Sequence, residues 1–221
     1  MPITPLKTWW PAATAAVSIA VCMAVFATPA LATDQVRTLP VFTGINSQGA
    51  FSLTIHAGQK QSVTMSGSDA ALAKVESKVV DGVLVLSMPE RSYSNSDDNK
   101  VRVTVYVETL TQFQMEGAGK TQLNNLSGTR FRLGYEGVGL VQATGKVETL
   151  VLKAEGVGSV DTSALEAKHV DVHLQGVGSV KVHAKESLRA KVEGIGSLTY
   201  YGKPTRISKS VDGIGSIRAG D

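Results

Sequence analysis

Apolar and polar residues alternate in short runs through the second half of the chain, and each run ends in the same kind of turn. Phe131 and Leu133 lead into one such turn, and Leu150, Leu152 and Ala154 into the next. Val170, Val172 and Leu174 lead into a third, and Leu188, Ala190 and Val192 into a fourth. A few residues past the turns another apolar residue recurs: Val141, Val160, Val180, Leu198 and Ile217. A period of two places these side chains on one face of a β-strand. The glycine density and β-branched content exclude helix.

The turn itself is a repeat. It reads Glu116-Gly117-Ala118-Gly119, Glu136-Gly137-Val138-Gly139, Glu155-Gly156-Val157-Gly158, Gln175-Gly176-Val177-Gly178, Glu193-Gly194-Ile195-Gly196 and Asp212-Gly213-Ile214-Gly215. Successive first glycines are 20, 19, 20, 18 and 19 residues apart. One unit of this length cannot bury its apolar face alone. Like units stacked about 4.8 Å apart share one core. A propeller blade needs about 40 residues, twice this period. The pattern therefore predicts an all-β fold, a parallel β-helix of about six 19-residue rungs. Its glycine pairs serve corners where a Cβ would clash between rungs.

Residues 36–107 carry a different pattern. Phe51–Ile55 and Val101–Val107 alternate as strands. Asp81-Gly82 tolerates positive φ, so Val79–Leu84 reads as a tight hairpin. Ser68 is placed to cap a short helix through Ala70, Ala71, Leu72 and Lys74. Residues 87–100 are polar and read as a surface loop. The expected organisation is a leader over 1–32, a β-strand region over 33–110 forming extra rungs or a cap, and the repeat β-helix over 111–221.

The leader reading rests on Lys7, an apolar run from Ala12 to Phe26, and the small-x-small site Ala30-Leu31-Ala32. The run is shorter than the roughly 20 residues that span a bilayer. Both tryptophans and the single cysteine, Cys22, fall inside the leader. The mature chain then has no thiol chemistry and no disulfide, in a compartment that permits one. The leader carries one basic and no acidic residue, so the net charge falls from +3 to +2. That balance gives no charge-based argument for nucleic acid or acidic membrane as a partner, and no nucleic acid is expected. The expected location is outside the cytoplasm of a bacterium: periplasmic, on the outer surface, or secreted.

Stacked rungs turn equivalent residues into columns. Glu136, Glu155, Glu193 and Asp212 line up before the first glycine, with Glu116 and Gln175 in the same column. Such an acidic stripe is a candidate binding surface. Lys153, His173 and Lys191 stand two residues earlier, with Arg132 and Arg189 two earlier again, so neighbouring columns compensate the charge. Tyr200 and Tyr201, and also Tyr135, are the aromatic candidates for a glycan platform. Ser159, Ser179, Ser197 and Ser216 form a hydroxyl ladder read as structural.

His169, Asp171 and His173 share one strand face and are the weak candidates for metal ligation. The outer two are about 13 Å apart at strand rise, too far to share an ion directly. Calcium-binding nonapeptide chemistry fails on period, and only Asp161 stands at the aspartate place. Gly-x-Gly phosphate cradles need a following helix, and strands follow here. No nucleophile, general base or cofactor motif stands out of the repeat, so neither catalysis nor a cofactor is expected.

With the strand Phe42–Asn46, the Asp81-Gly82 hairpin leading into Val83–Leu86, the strand Val101–Val107 and the Glu-Gly-x-Gly repeats, the mature chain resembles the head GIN domain family of putative autotransporter adhesins. The resemblance implies a right-handed β-helix and a bacterial envelope or secreted location. It carries no catalytic residues. The leading expectation is a non-enzymatic exported scaffold for adhesion or for binding a protein or glycan at the envelope. The alternative is a polysaccharide-binding or polysaccharide-degrading β-helix enzyme. The last repeat runs close to Asp221 without an evident cap, which suggests a homo-oligomer through the terminal rung. N-terminal sequencing of the exported chain is expected to begin at Thr33; a chain still starting at Met1 contradicts the leader reading.

Overall fold

A computed structural model describes residues 33–88 and 101–220. The leader over 1–32 and nearly all of the expected loop over 87–100 lie outside the described residues. The elements are β1 (Thr33–Arg37), β2 (Gly44–Gln48), β3 (Ala50–Ala57), β4 (Ser62–Gly67), α1 (Asp69–Leu72), β5 (Glu76–Val80), β6 (Val83–Ser87), β7 (Arg102–Val107) and β8 (Gln112–Met115). They continue with β9 (Ala118–Tyr135), β10 (Val138–Ala154), β11 (Val157–Leu174), β12 (Val177–Val192), β13 (Ile195–Tyr201), β14 (Arg206–Val211) and β15 (Ile214–Ala219).

The long strands β9 to β12 stack in parallel, and each contributes to two walls of a coil, with a register shift between its halves. Wall one runs β1-β4-β7-β3-β9-β10-β11-β12-β13-β15. Wall two runs β5-β6-β2-β8, then the second halves of β9 to β12, then β14. The coil makes about five turns, not the six expected from the repeats. The reason is geometric: six Glu-Gly-x-Gly corners bound five complete intervals.

The alternating apolar residues form the shared interior. Val141, Val160, Val180 and Leu198 are buried and stand in one register column, which continues to a partly buried Ile217. On wall two, Leu133, Leu152, Val172 and Ala190 stack the same way. Like above like keeps each layer's volume matched to the next.

Elements β1 to β8 build and close one end. β2 and β3 join the parallel stack directly, and the link between them is a seventh corner, Gln48-Gly49-Ala50-Phe51. It follows the same pattern with Phe51 in place of the second glycine, paired with Gly119. β6 and β7 lie beyond β2 and β3, so the chain crosses back over that rung before β8 and β9 continue the coil. Antiparallel strands then end the stack: β4 on β7, β1 on β4 and β5 on β6. The β5–β6 hairpin turns through Asp81 (φ 50°) and Gly82 (φ 74°), as the residue types require. Ser68 caps α1, accepting from the Ala71 amide at 3.3 Å, and Ala71 and Leu72 are buried.

Among the described residues the other end is uncovered: β14 pairs only with β12, and β15 only with β13. Every residue of β14 is exposed. Its inward positions are Ile207, Lys209 and Val211, next to buried Leu188, Ala190 and Val192. Lys209 closes the column in place of a hydrocarbon: its Nζ donates to the Tyr200 hydroxyl at 2.9 Å and sits 4.4 Å above that ring.

Corner glycines are required by close approach. A Cβ on Gly176 would lie 2.0 Å from the carbonyl oxygen of Gly156 in the preceding rung. That carbonyl cannot yield, because it accepts the Val177 amide at 3.1 Å. Gly176→Ala is therefore expected to cost about 3 kcal/mol or more, through backbone strain. Val177→Ala, on an exposed neighbour, should stay within about 0.5 kcal/mol. Urea unfolding of both variants checks the pair; equal stability would mean the glycines are not packed rung on rung.

Candidate functional site

At the corner the repeat presents three parallel columns. In the rung at residue 155 they are Glu155, Val157 and Ser159. Backbone hydrogen bonds hold the columns in register: the amides of Glu136, Glu155, Gln175, Glu193 and Asp212 each donate one rung back, at 2.7–2.8 Å.

The acidic column is structurally engaged. Glu116 accepts from Asn46 Nδ2 and Gln48 Nε2, both at 3.0 Å. Glu136 accepts from Gln114 Nε2 at 3.0 Å. Glu155 pairs with Lys153 at 2.7 Å, which raises the lysine pKa above its ordinary value. Glu193 is held by Lys191 and His173 together. The hydrogen bond from Lys191, then that from His173, pull its carboxyl down to about 2. The same cross-rung pairing continues elsewhere, as in Lys168–Glu148 at 3.1 Å, Lys185–Glu166 at 2.6 Å and Lys181–Asp161 at 3.5 Å. The hydroxyl column behaves likewise, with Ser159 and Ser179 oxygens 3.1 Å apart.

Between the acids and the hydroxyls runs an apolar ladder. Val138, Val157, Val177, Ile195 and Ile214 pair rung to rung and are 59%, 52%, 48%, 57% and 77% exposed. These five are half of the large exposed hydrophobic residues among the described residues. The columns traced from the sequence lie on either side of this position and do not include it. The signal was present as a β-branched residue repeated at one place in five consecutive corners.

The aromatic candidates separate. Tyr200 is 8% exposed and faces the interior under Lys209, so it is withdrawn from the surface stripe. Tyr201, the next residue on the strand, points the other way and is half-buried. Tyr135 is also interior: its hydroxyl donates toward the carbonyls of Gly139 and Val157 at 3.1 and 2.8 Å. Burial raises its pKa. Strand parity explains all three, since Tyr135 and Tyr200 occupy core-facing positions.

His169, Asp171 and His173 lie on one outward face, as the alternation predicts, but each turns to the next rung. His169 Nδ1 is 2.9 Å from the Ser187 hydroxyl, Asp171 is 3.7 Å from Arg189, and His173 meets Glu193. The three do not converge on a common point; among the described residues no group of three or more such side chains is placed to hold a metal.

A regular coil with these corners can be compared with known proteins. The family model described as "Putative auto-transporter adhesin, head GIN domain" matches residues 41–204. The chain belongs to this family. The head GIN domain here resembles a crystal structure of a "putative adhesin" from Bacteroides fragilis, with 26% identity and a TM-score of 0.68. That alignment covers 86% of this chain and 97% of the other. A "putative adhesin" from Parabacteroides merdae shares 13% identity at a TM-score of 0.47. A "putative lipid binding protein" from Parabacteroides distasonis shares 16% at the same score. Both alignments again cover 86% of this chain and 97% of the other, and both are too distant in shape to argue from. No curated protein matches the sequence.

The depressed Glu193 carboxyl has a pH signature. Its folded pKa lies below its unfolded value, so the group contributes stability above the ordinary glutamate range and loses it as pH falls toward about 2. Glu193→Gln should lower the urea midpoint at pH 7, and the gap to wild type should close between about pH 4.5 and 2. A gap that stays constant over that window would show that the Lys191–Glu193–His173 contact does not titrate in the folded state.

Proposed function

We propose that this head GIN domain is a non-enzymatic scaffold, exported to the bacterial envelope or surface, that holds a partner along its corner edge. The apolar ladder carries this reading. Five exposed Val and Ile side chains in strict register span about 19 Å at the rung spacing. Contiguous exposed apolar surface of this kind marks interaction sites on soluble domains. Its polar flanks are largely engaged: Glu116, Glu136, Glu155 and Glu193 are bound by lysine, histidine and amide donors, and Ser159 and Ser179 by each other. What the edge offers a partner is therefore shape and hydrocarbon, not uncompensated charge.

Two further observations support binding over catalysis. The carboxylates and histidines of the repeat walls are engaged in lateral pairs that recur from rung to rung, where a reaction needs a non-repeating cluster. The relative from Bacteroides fragilis is described as a "putative adhesin", which fits the same reading. The ligand class at the edge is a protein or glycan of the envelope or of a surface the cell meets.

The test is a binding panel. Mature wild-type chain should bind at least one immobilised matrix protein, glycan or cell preparation with saturation. A Val157→Ser, Val177→Ser, Ile195→Ser chain should bind that target at least tenfold more weakly, with an unchanged melting profile. Flat binding across the panel, or equal affinity of the triple variant, would overturn the proposal.

A further inference from the structure

Wall two carries a second surface that the ladder does not use. Counting back seven residues from successive first glycines gives Arg130, Thr149, His169, Ser187 and Arg206, and these pair in register as one outward column. Beside it runs the column Arg132, Val151, Asp171, Arg189 and Ser208. These two columns hold four arginines and one aspartate, and Glu186 reaches the same face, 4.0 Å from His169 Nε2. The acids of the corner column lie farther along the strands and are bound there.

Toward the open end the two columns frame a groove of about 460 Å3, lined among others by His169, Asp171, Ser187, Arg189, Arg206 and Ser208. Roughly 300–1,000 Å3 is the usual range for small-ligand sites. The depression arises where short serines stand between long side chains. Arg189 is 3.7 Å from Asp171 but 76% exposed, so its fork remains open to solvent. Arg206 has no ion pair among the described residues and is exposed.

We propose that this groove binds an anionic oligosaccharide through the guanidinium groups of Arg189 and Arg206. An arginine fork matches the planar geometry of a carboxylate or sulfate with two parallel hydrogen bonds. The hydroxyls of Thr149, Ser187 and Ser208 supply the short-range donors and acceptors that sugar hydroxyls require. No Phe, Tyr or Trp ring lines the groove, so a neutral sugar lacks the broad stacking platform that would hold it. An acidic peptide fits less well. Most of the groove sits over β10, β11 and β12, whose backbones are paired on both sides, so a peptide laid along it would leave most of its amides without strand partners; only β14, at the rim, has a free edge. The columns also extend the site: Arg130 lies four rungs from Arg206, about 19 Å away, so a linear polyanion can continue along the axis.

This inference rests on the reading of the chain as a binding scaffold and names one ligand class for it. The experiment is titration calorimetry of the full mature chain at physiological ionic strength. The probes are an oligogalacturonate for carboxylates, a heparin oligosaccharide for sulfates, a neutral dextran oligosaccharide and oligoglutamate. Saturable binding of either acidic sugar is expected, and which binds tighter identifies the anion. An Arg189→Gln, Arg206→Gln chain should lose at least tenfold in affinity. A control chain with Lys60→Gln and Lys120→Gln, the same charge change elsewhere on the surface, should stay within twofold of wild type. The inference is overturned if neither acidic sugar saturates, if dextran binds equally, if the lysine control loses as much as the arginine variant, or if oligoglutamate binds as tightly as the sugars. Failure here leaves the ladder variants' panel result standing, because Val157, Val177 and Ile195 lie on a different column.

Discussion

Everything on this molecule's surface depends on how closely consecutive corners approach. Glycine carbonyls of one rung lie where a Cβ of the next would have to be, about 2 Å away. Each such carbonyl already accepts an amide from the rung above. A side chain at that place would push rungs apart at one edge, and the hydrogen bonds of both walls would open with it. Because the approach is tight and repeated, the corner fixes register. Fixed register is what turns scattered residues into an acid column, an apolar ladder, a hydroxyl column and, on wall two, a line of arginines.

The two ends handle their exposed edges differently. At the first end, antiparallel β1, β4 and β5 finish the stack and α1 buries Ala71 and Leu72. At the other, β14 and β15 keep one unpaired side, with Ile207 and Val211 half exposed. Lys209 changes what that edge can accept. It stands in a core column, so a further rung laid over it would have to bury an ammonium group, and Arg206 and Arg218 add like charge on the same rung. An inward-pointing charge is a recognised way to blunt a sheet edge. Two copies meeting through this end would bring these cations together.

How much of this was legible follows the same logic. The spacing of the glycines and the period-two alternation gave the coil, its interior and the corner register, because each is a local signal repeated many times. Asp81-Gly82 and Ser68 were legible because their chemistry acts within a few residues. The corner at Gly49 was not, since Phe51 replaces the second glycine and its partner rung comes 68 residues later. The order of the first rungs was also hidden: nothing local tells the chain to lay β6 and β7 outside β2 and β3. Tyr135 and Tyr200 were misplaced for a different reason. They were read as aromatic platforms by type, although counting parity from Leu133 or Leu198 sends both inward. The arginine column was readable by counting back seven from each glycine, and was missed because the columns were followed only as far as five residues before it.

The cross-rung ion pairs then take on a meaning beyond their energies. Exposed pairs contribute about 0–1 kcal/mol each, too little to hold a coil together beside the buried aliphatic columns. They do discriminate. A strand slipped by one residue would turn its apolar set outward, and a corner slipped by a whole place would separate Glu193 from His173, Glu166 from Lys185, and Asp161 from Lys181 at once. The pairs thus act as a register code written beside an interior whose like residues would tolerate more than one stacking. Side chains engaged in that code have little left to offer a ligand. The surfaces free to bind are those least committed to it: the Val and Ile ladder, which hydrogen bonds cannot engage, and the end of wall two, where Arg206 has no ion pair among the described residues and Arg189, paired with Asp171, stays 76% exposed.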